Sequence, residues 1–222
     1  MHLEQSDGDN DPGTEAAIGT DHKRRQILDG ARRVFLGAGF DGASMGEIAK
    51  AAGVSKGTLY SYFASKEALF ERLIRDERTG LAEALFRLDV DDPDTREVLR
   101  RLGRSFLEMM VRPEHVSSVR MVIGVAEKLP RIGQVFYDAG PRQGAARLAA
   151  YLDRQVAAGR LAIADTGVAA VQFLDLCSGP VMKRLLFSVT QPPDEAMLER
   201  QVETALTMFF AAYGPPTSSA QA

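Results

Sequence analysis

Ser44-Met-Gly-Glu-Ile-Ala-Lys-Ala-Ala-Gly-Val-Ser-Lys-Gly-Thr-Leu-Tyr-Ser-Tyr-Phe63 reads as two short helices joined by a turn. Ser44 and Glu47 have the spacing of a capping box, in which a hydroxyl and a carboxylate satisfy backbone N–H groups at a helix start. Gly53 closes that helix where a left-handed residue is needed. Ser55 then caps a second helix running to Phe63, and Ser65 a third that begins at Lys66 and continues to about Leu88. Upstream, Ile27, Leu28, Ala31, Val34 and Phe35 recur at three- and four-residue spacing from about His22 to Ala38. Lys23, Arg24, Arg25, Arg32 and Arg33 take the other positions, which predicts an amphipathic helix with a basic side. Met45, Ile48, Ala49, Ala52, Val54, Leu59 and Phe63 can close one small core with Ile27, Ala31, Val34, Phe35 and Phe40.

The second short helix is left with Lys56, Gly57, Thr58, Tyr60, Ser61 and Tyr62 facing outward. Hydroxyls, an ammonium group and a glycine on one short helix suit a DNA major groove, about 12 Å wide, where they reach base edges and phosphates. The helix before it would cross the backbone, so that its N-terminal N–H groups and the Ser44 hydroxyl hold a phosphate. Ser44 and Ser55 would serve equally well as caps alone, and Tyr62 could pack beneath its helix. Charge agrees with a local basic module: residues 21–66 carry eight bases against four acids, residues 1–20 carry five acids and no Lys or Arg, and the whole chain stands at −3. A solvated helix face would show the same balance.

From Phe40 to Phe70 the cap, turn, apolar and polar positions together resemble the DNA-binding signature of TetR-family transcriptional regulators, the likeness covering about Arg24 to Leu73. The resemblance implies an all-α chain: an N-terminal three-helix helix-turn-helix head and a larger helical bundle for ligand binding and dimerisation, similar to the AcrR-like C-terminal domain. It implies DNA contacts at Ser44, Gly46, Lys56, Gly57, Thr58, Tyr60, Ser61, Tyr62 and Lys66, with Lys66 resembling the family's phosphate-contacting lysine. Tyr62 stands where many members carry His, so base preference does not carry over. The implied protein is a ligand-responsive regulator, in the first instance a repressor. It would bind a near-palindromic operator in double-stranded DNA as a homodimer and be released by a small apolar or aromatic effector. Effector identity, operator sequence and target genes are not legible.

Beyond the head, helical patterns are predicted at about 95–111, 115–127, 131–158, 166–188 and 194–212, with kinks at Gly140-Pro141 and Gly179-Pro180. The domain reading is a disordered acidic tail over 1–20, the head over 21–66, the ligand-binding and dimerisation domain over 67–213, and a disordered tail over 214–222. Phe106, Met109, Met110, Met121, Phe136, Tyr137 and Phe173 are candidates to line an effector pocket, although such residues at helical spacing more often form core. Val168, Val171, Phe173, Leu174, Leu176, Leu185 and Leu186, followed by Met197, Leu198, Val202, Leu206, Phe209 and Phe210, give the last two helices broad apolar surfaces. They could build a four-helix dimer interface or merely cover their own core. The predicted switch runs through the helix from Ser65 to Leu88.

Other classes find little support. No apolar run approaches the roughly 20 residues of a membrane span, and the acidic first twenty residues do not resemble a signal peptide, so a cytoplasmic location is expected. The lone Cys177 lies in an apolar stretch, and His2, His22 and His115 form no metal-ligand spacing, so neither cofactor nor metal is expected. Gly37-Ala-Gly-Phe-Asp-Gly42 satisfies a dinucleotide-binding pattern but follows a helix instead of a strand. A helical-bundle enzyme lacks a nucleophile paired with a base. An architectural DNA-binding protein without effector would leave the large C-terminal body unexplained.

Overall fold

The structure, a computed structural model, describes residues 12–189 and 193–215. All regular elements among these residues are helical, none is long and apolar enough to cross a membrane, and the chain separates into two compact units, Met1–Leu73 and Ile74–Ala222.

The first unit holds α1 (Pro12–Gly42), broken at Gly39 where φ is 71°, then α2 (Met45–Ala52), α3 (Lys56–Tyr62) and the start of α4 (Lys66–Leu85). Its core is Ile27, Ala31, Phe35, Phe40, Ile48, Ala49, Leu59, Phe63, Leu69 and Phe70, with the rings of Phe35, Phe40 and Phe70 4.8 to 5.9 Å apart. Met45, Val54 and Val34, expected in this core, are only half-buried. α1 and α2 meet closely at Gly30, where a Cβ would lie 2.6 Å from the backbone of Ala52. α1 also caps α2: Gln26 Nε2 and Arg33 donate to the carbonyls of Ala52 and Ala51 at 2.7 and 2.5 Å, satisfying acceptors that a helix end leaves free.

Two boundaries differ from the sequence reading. α1 begins at Pro12, so residues 12–20 are helical and not an extension of a disordered tail. Pro suits the first helical turn, and Glu15-Ala-Ala has high helix propensity, so this stretch does not depend on a hydrophobic periodicity. Residues 1–11 and 216–222, the rest of the two expected tails, lie outside the described residues. The first unit extends past the expected boundary at 66/67 because Leu69 and Phe70, in the first turn of α4, are buried among the head's own aromatics.

The second unit comprises the remainder of α4 from Ile74, then α5 (Thr95–Met110), α6 (Pro113–Ala126), α7 (Pro130–Tyr137), a π-helical turn (Asp138–Arg142), α8 (Gln143–Ala157), α9 (Thr166–Leu186) and α10 (Glu195–Tyr213). Asp94, Asp165 and Asp194 each cap the helix that follows by accepting a backbone N–H. Leu99, Leu107, Leu148, Leu152, Phe173, Cys177, Val202, Leu206 and Phe209 form the shared core. Gly103 lets α5 cross α9 and α10 closely, since a Cβ there would stand 3.2 Å from Cys177 Sγ and from Val202. The kink expected at Gly140-Pro141 is the π turn, whereas α9 runs through Gly179-Pro180 without a break.

Candidate nucleic-acid interface and effector cavity

The turn between α2 and α3 is fixed by local chemistry. Ser44 Oγ accepts from the Glu47 N–H at 3.2 Å, while its backbone N–H and its hydroxyl donate to the Glu47 carboxylate at 3.0 and 2.7 Å. These bonds hold the Glu47 carboxyl below its ordinary pKa. They also commit the Ser44 hydroxyl proton to Glu47. Gly53 adopts φ 66° and ψ 36° and bonds back to α2. Ser55 Oγ accepts from the Thr58 N–H at 3.0 Å and lies 2.9 Å from the Thr58 hydroxyl.

The nine expected contact residues are brought to two consecutive short helices and the start of α4. Ser44, Lys56, Gly57, Tyr60 and Ser61 are exposed, Tyr60 by 53%, and Gly46, Thr58 and Tyr62 are half-buried. Ser61 Oγ donates to the Thr58 carbonyl at 2.8 Å. The Lys56 side chain crosses Gly46 so closely that a Cβ there would meet its Cε at 3.0 Å and its Nζ at 3.3 Å. An ammonium group therefore stands beside the N-terminus of α2, where the first N–H groups and the helix dipole already favour an anion. Lys66 is placed differently from a free phosphate ligand: its Nζ donates to the carbonyls of Phe40 and Ala43 at 2.7 and 2.9 Å and lies over the Phe40 ring. One of its three protons remains for a further acceptor.

Within the second unit a cavity of about 580 Å³ is lined mainly by apolar side chains, with Arg78, His115, Arg142, Asp175 and Ser178 also in its wall. Of the seven expected pocket residues, Phe106, Met109, Met110, Phe136 and Tyr137 line it, together with Leu81, Phe86 and Met182. Met121 and Phe173 do not: Phe173 is fully buried and packs edge-on against Phe209, so its bulk belongs to the core between α9 and α10.

Sequence reasoning missed the polar group in this wall. Arg78, 4% exposed, donates to His115 Nδ1 and to Ser118 Oγ, each at 2.9 Å, and its guanidinium lies 4.3 Å from the centre of the Phe136 ring. Its Nε is buried without a partner. Burial lowers the Arg78 pKa to about 10, and burial beside that cation pushes His115 down to about 3, so His115 is neutral. Because arginine only donates, His115 Nδ1 must accept and its ring proton sits on Nε2. The signal was present: Ile74, Arg78, Leu81, Ala82 and Leu85 fall on one stripe of α4, and a charge in an apolar stripe marks a polar function inside.

The last two helices divide the residues expected at a dimer interface. Phe173, Leu174, Leu185, Leu198, Val202, Leu206 and Phe209 are buried in their own core, while Val168, Val171 and Met197 are exposed and Leu176, Leu186 and Phe210 are half-buried. Met208 and Phe187 also stand exposed, by 53% and 80%. Cys177 is buried, and burial pushes its thiol up to about 12, as for an inert core side chain.

Known proteins share this architecture. Residues 27–73 match the profile of bacterial regulatory proteins of the TetR family, and residues 97–215 match that of the C-terminal domain of AefR-like transcriptional repressors. The chain is 36% identical to the flavonoid-responsive regulator FrrA, over 89% of this chain and 100% of that one, with a TM-score of 0.74. A TetR-family transcriptional regulator from Mesorhizobium loti aligns at 27% identity over 87% of this chain and 98% of its own, with a TM-score of 0.82. The transcriptional regulator AcrR of Shigella flexneri is 37% identical over 92 residues, and the repressor AcnR of Corynebacterium efficiens 38% over 64. These matches span 41% and 29% of this chain and less than half of either relative, 43% of AcrR and 34% of AcnR. With profiles matching both the head and more than half of the chain beyond it, the chain belongs to the TetR family of bacterial regulatory proteins, which are transcriptional regulators and not enzymes.

Proposed function

We propose that this protein is a cytoplasmic, ligand-responsive repressor that binds a near-palindromic operator as a homodimer and is released by a small, largely apolar effector. The observation that carries the reading is the outward face of α3, where Tyr60 and Lys56 are exposed and Lys56 stands beside the capped N-terminus of α2. Tyr60, Thr58 and Tyr62 would address base edges and Lys56 a phosphate, with Gly57 allowing close approach. Ser44 and Gly46 would place the first turn of α2 on the backbone. Lys66 would offer its third proton there while holding the turn.

One recognition helix of seven residues supplies little affinity. Two copies reading half-sites about 34 Å apart, or a multiple of that, multiply it. The exposed apolar residues of α9 and α10, among them Val168, Val171 and Met208, suit the self-complementary interface such a pair needs. The cavity favours an effector-gated regulator over an architectural DNA-binding protein. Leu81 and Leu85 of α4 line it, and α4 begins at Lys66 in the head, so an effector that favours one setting of α4 biases the head. A coupling of about 1 to 3 kcal/mol lowers operator affinity roughly 5- to 150-fold.

Footprinting on the DNA flanking the protein's own gene tests the reading. Wild type should protect a near-palindromic site that a Tyr60→Ala variant, equally folded by circular dichroism, fails to protect. Equal protection by the two proteins would remove α3 from the interface.

A further inference from the structure

Resting on that reading of the cavity as an effector site, we propose that the effector is an apolar acid, an aromatic or acyl carboxylate whose anionic end pairs with Arg78. A guanidinium lining an apolar cavity is costly unless a counter-ion meets it. Yet its hydrogen-bonding partners among the described residues, His115 and Ser118, are neutral, and the ring it lies over is that of Phe136. The neighbouring Glu77 favours the charged form only through its field, and that field is outweighed by burial. Asp175, the one acid in the cavity wall, is exposed. Arg78 thus lines the cavity with no carboxylate hydrogen-bonded to it among the described residues.

The neighbours suit an anion in particular. His115, which lines the cavity with its proton on Nε2, adds a neutral donor without a competing charge, and Ser118, accepting from Arg78 behind it, is neutral too. Gly140 packs against the Arg78 stem, where a Cβ would meet Cδ at 3.3 Å, so the π turn helps hold the guanidinium in place. Phe86, Phe106 and Met109 offer an apolar body its contacts, while Arg142, the other arginine in the wall, is exposed and paired with Asp138, and about 580 Å³ accommodates a molecule of drug-like size.

Isothermal titration of the full-length protein with matched probes tests the assignment: 2-naphthoate against 2-naphthamide, and decanoate against decanamide, all at pH 7.5. At least one acid should bind, with a Kd about tenfold or more below that of its amide, since a charge-assisted pair replaces a neutral hydrogen bond. In Arg78→Met that ratio should fall to about one, and Arg78→Lys should keep part of it. The assignment is overturned if neither acid binds, if an amide matches its acid, or if the preference survives in Arg78→Met. Should a variant fail to fold, the wild-type ratio decides alone. Retardation of the operator duplex, run beside the titrations, separates the two ideas. Operator release by an amide as readily as by its acid rejects the anion and keeps the effector reading, whereas absence of duplex binding rejects the regulator reading itself.

Discussion

The ammonium group of Lys66 donates to the Phe40 carbonyl at 2.7 Å while lying 4.5 Å from the centre of that residue's ring. With its second bond, to Ala43, the lysine ties the C-terminal end of α1 and the residue that follows it to the first residue of α4, and that stretch leads directly into the α2 cap at Ser44. Lys66→Met should therefore lower the stability of the head by about 1 to 3 kcal/mol, because two carbonyls lose a charged donor. Chemical denaturation followed by circular dichroism reads this loss without any DNA present. A variant as stable as wild type would reduce Lys66 to a surface charge.

Gly30 is the tightest point between α1 and α2. A Cβ there would stand 2.6 Å from the Cα and N of Ala52, and backbone cannot step aside as a flexible side chain can. Gly30→Ala should destabilise the head by roughly 1 to 3 kcal/mol through overpacking. Gly80, midway along α4 with nothing within 4 Å of its Cβ position, is the matched control. There, Gly80→Ala should stabilise by about 0.4 to 1 kcal/mol, as expected for helix propensity at an open site. Thermal melts showing equal effects for both substitutions would refute the close contact.

What could be read in the sequence follows the range of the interactions involved. The Ser44–Glu47 box, the left-handed Gly53 and the Ser55 cap each need residues no more than a few positions apart, so spacing alone located α2 and α3. The Arg78 cluster escaped because its partners, His115 and Ser118, lie 37 and 40 residues away, so the arginine's place in the apolar stripe of α4 did not by itself show what it meets. Phe106 and Phe173 show a second limit. Both are large, apolar and helical, yet one lines a cavity and the other fills the core, a difference set by how α5 and α9 cross. Lys66 shows a third, since the resemblance implied a phosphate contact while its hydrogen bonds turn it toward the head's own backbone.

Lys56 and Tyr60 should separate into a phosphate contact and a base contact. Lys56 is exposed and takes part in no helix cap; its stem rests on Gly46. Lys56→Ala should weaken binding of operator and of unrelated duplex alike, and lower the slope of log affinity against log salt by about 1. Tyr60→Ala should leave that slope unchanged and cost about 1 to 3 kcal/mol on the operator alone. Fluorescence anisotropy over a salt series distinguishes them, and an unchanged slope for Lys56→Ala would take the ammonium off the phosphate backbone.

His115 gives the second unit a pH dependence of definite sign. Its pKa falls from 6.5 to about 3 in the folded chain, through burial first and the facing Arg78 charge second. Above the unfolded value the ring is neutral in both states and its packing is fully expressed. As pH falls below about 6.5 the unfolded chain takes up a proton that the folded chain refuses, so stability is lost progressively until about pH 3. Carboxylates held low by arginine, Glu203 beside Arg100 among them, lose stability in the same direction at lower pH, so the histidine must be isolated by difference. His115→Gln keeps an acceptor for Arg78 and carries no titrating proton. Relative to wild type it should recover on the order of 1 to 3 kcal/mol of the stability lost between pH 7 and pH 4. Parallel pH profiles for the two proteins in urea denaturation would mean that His115 is protonated in the fold and does not accept from Arg78.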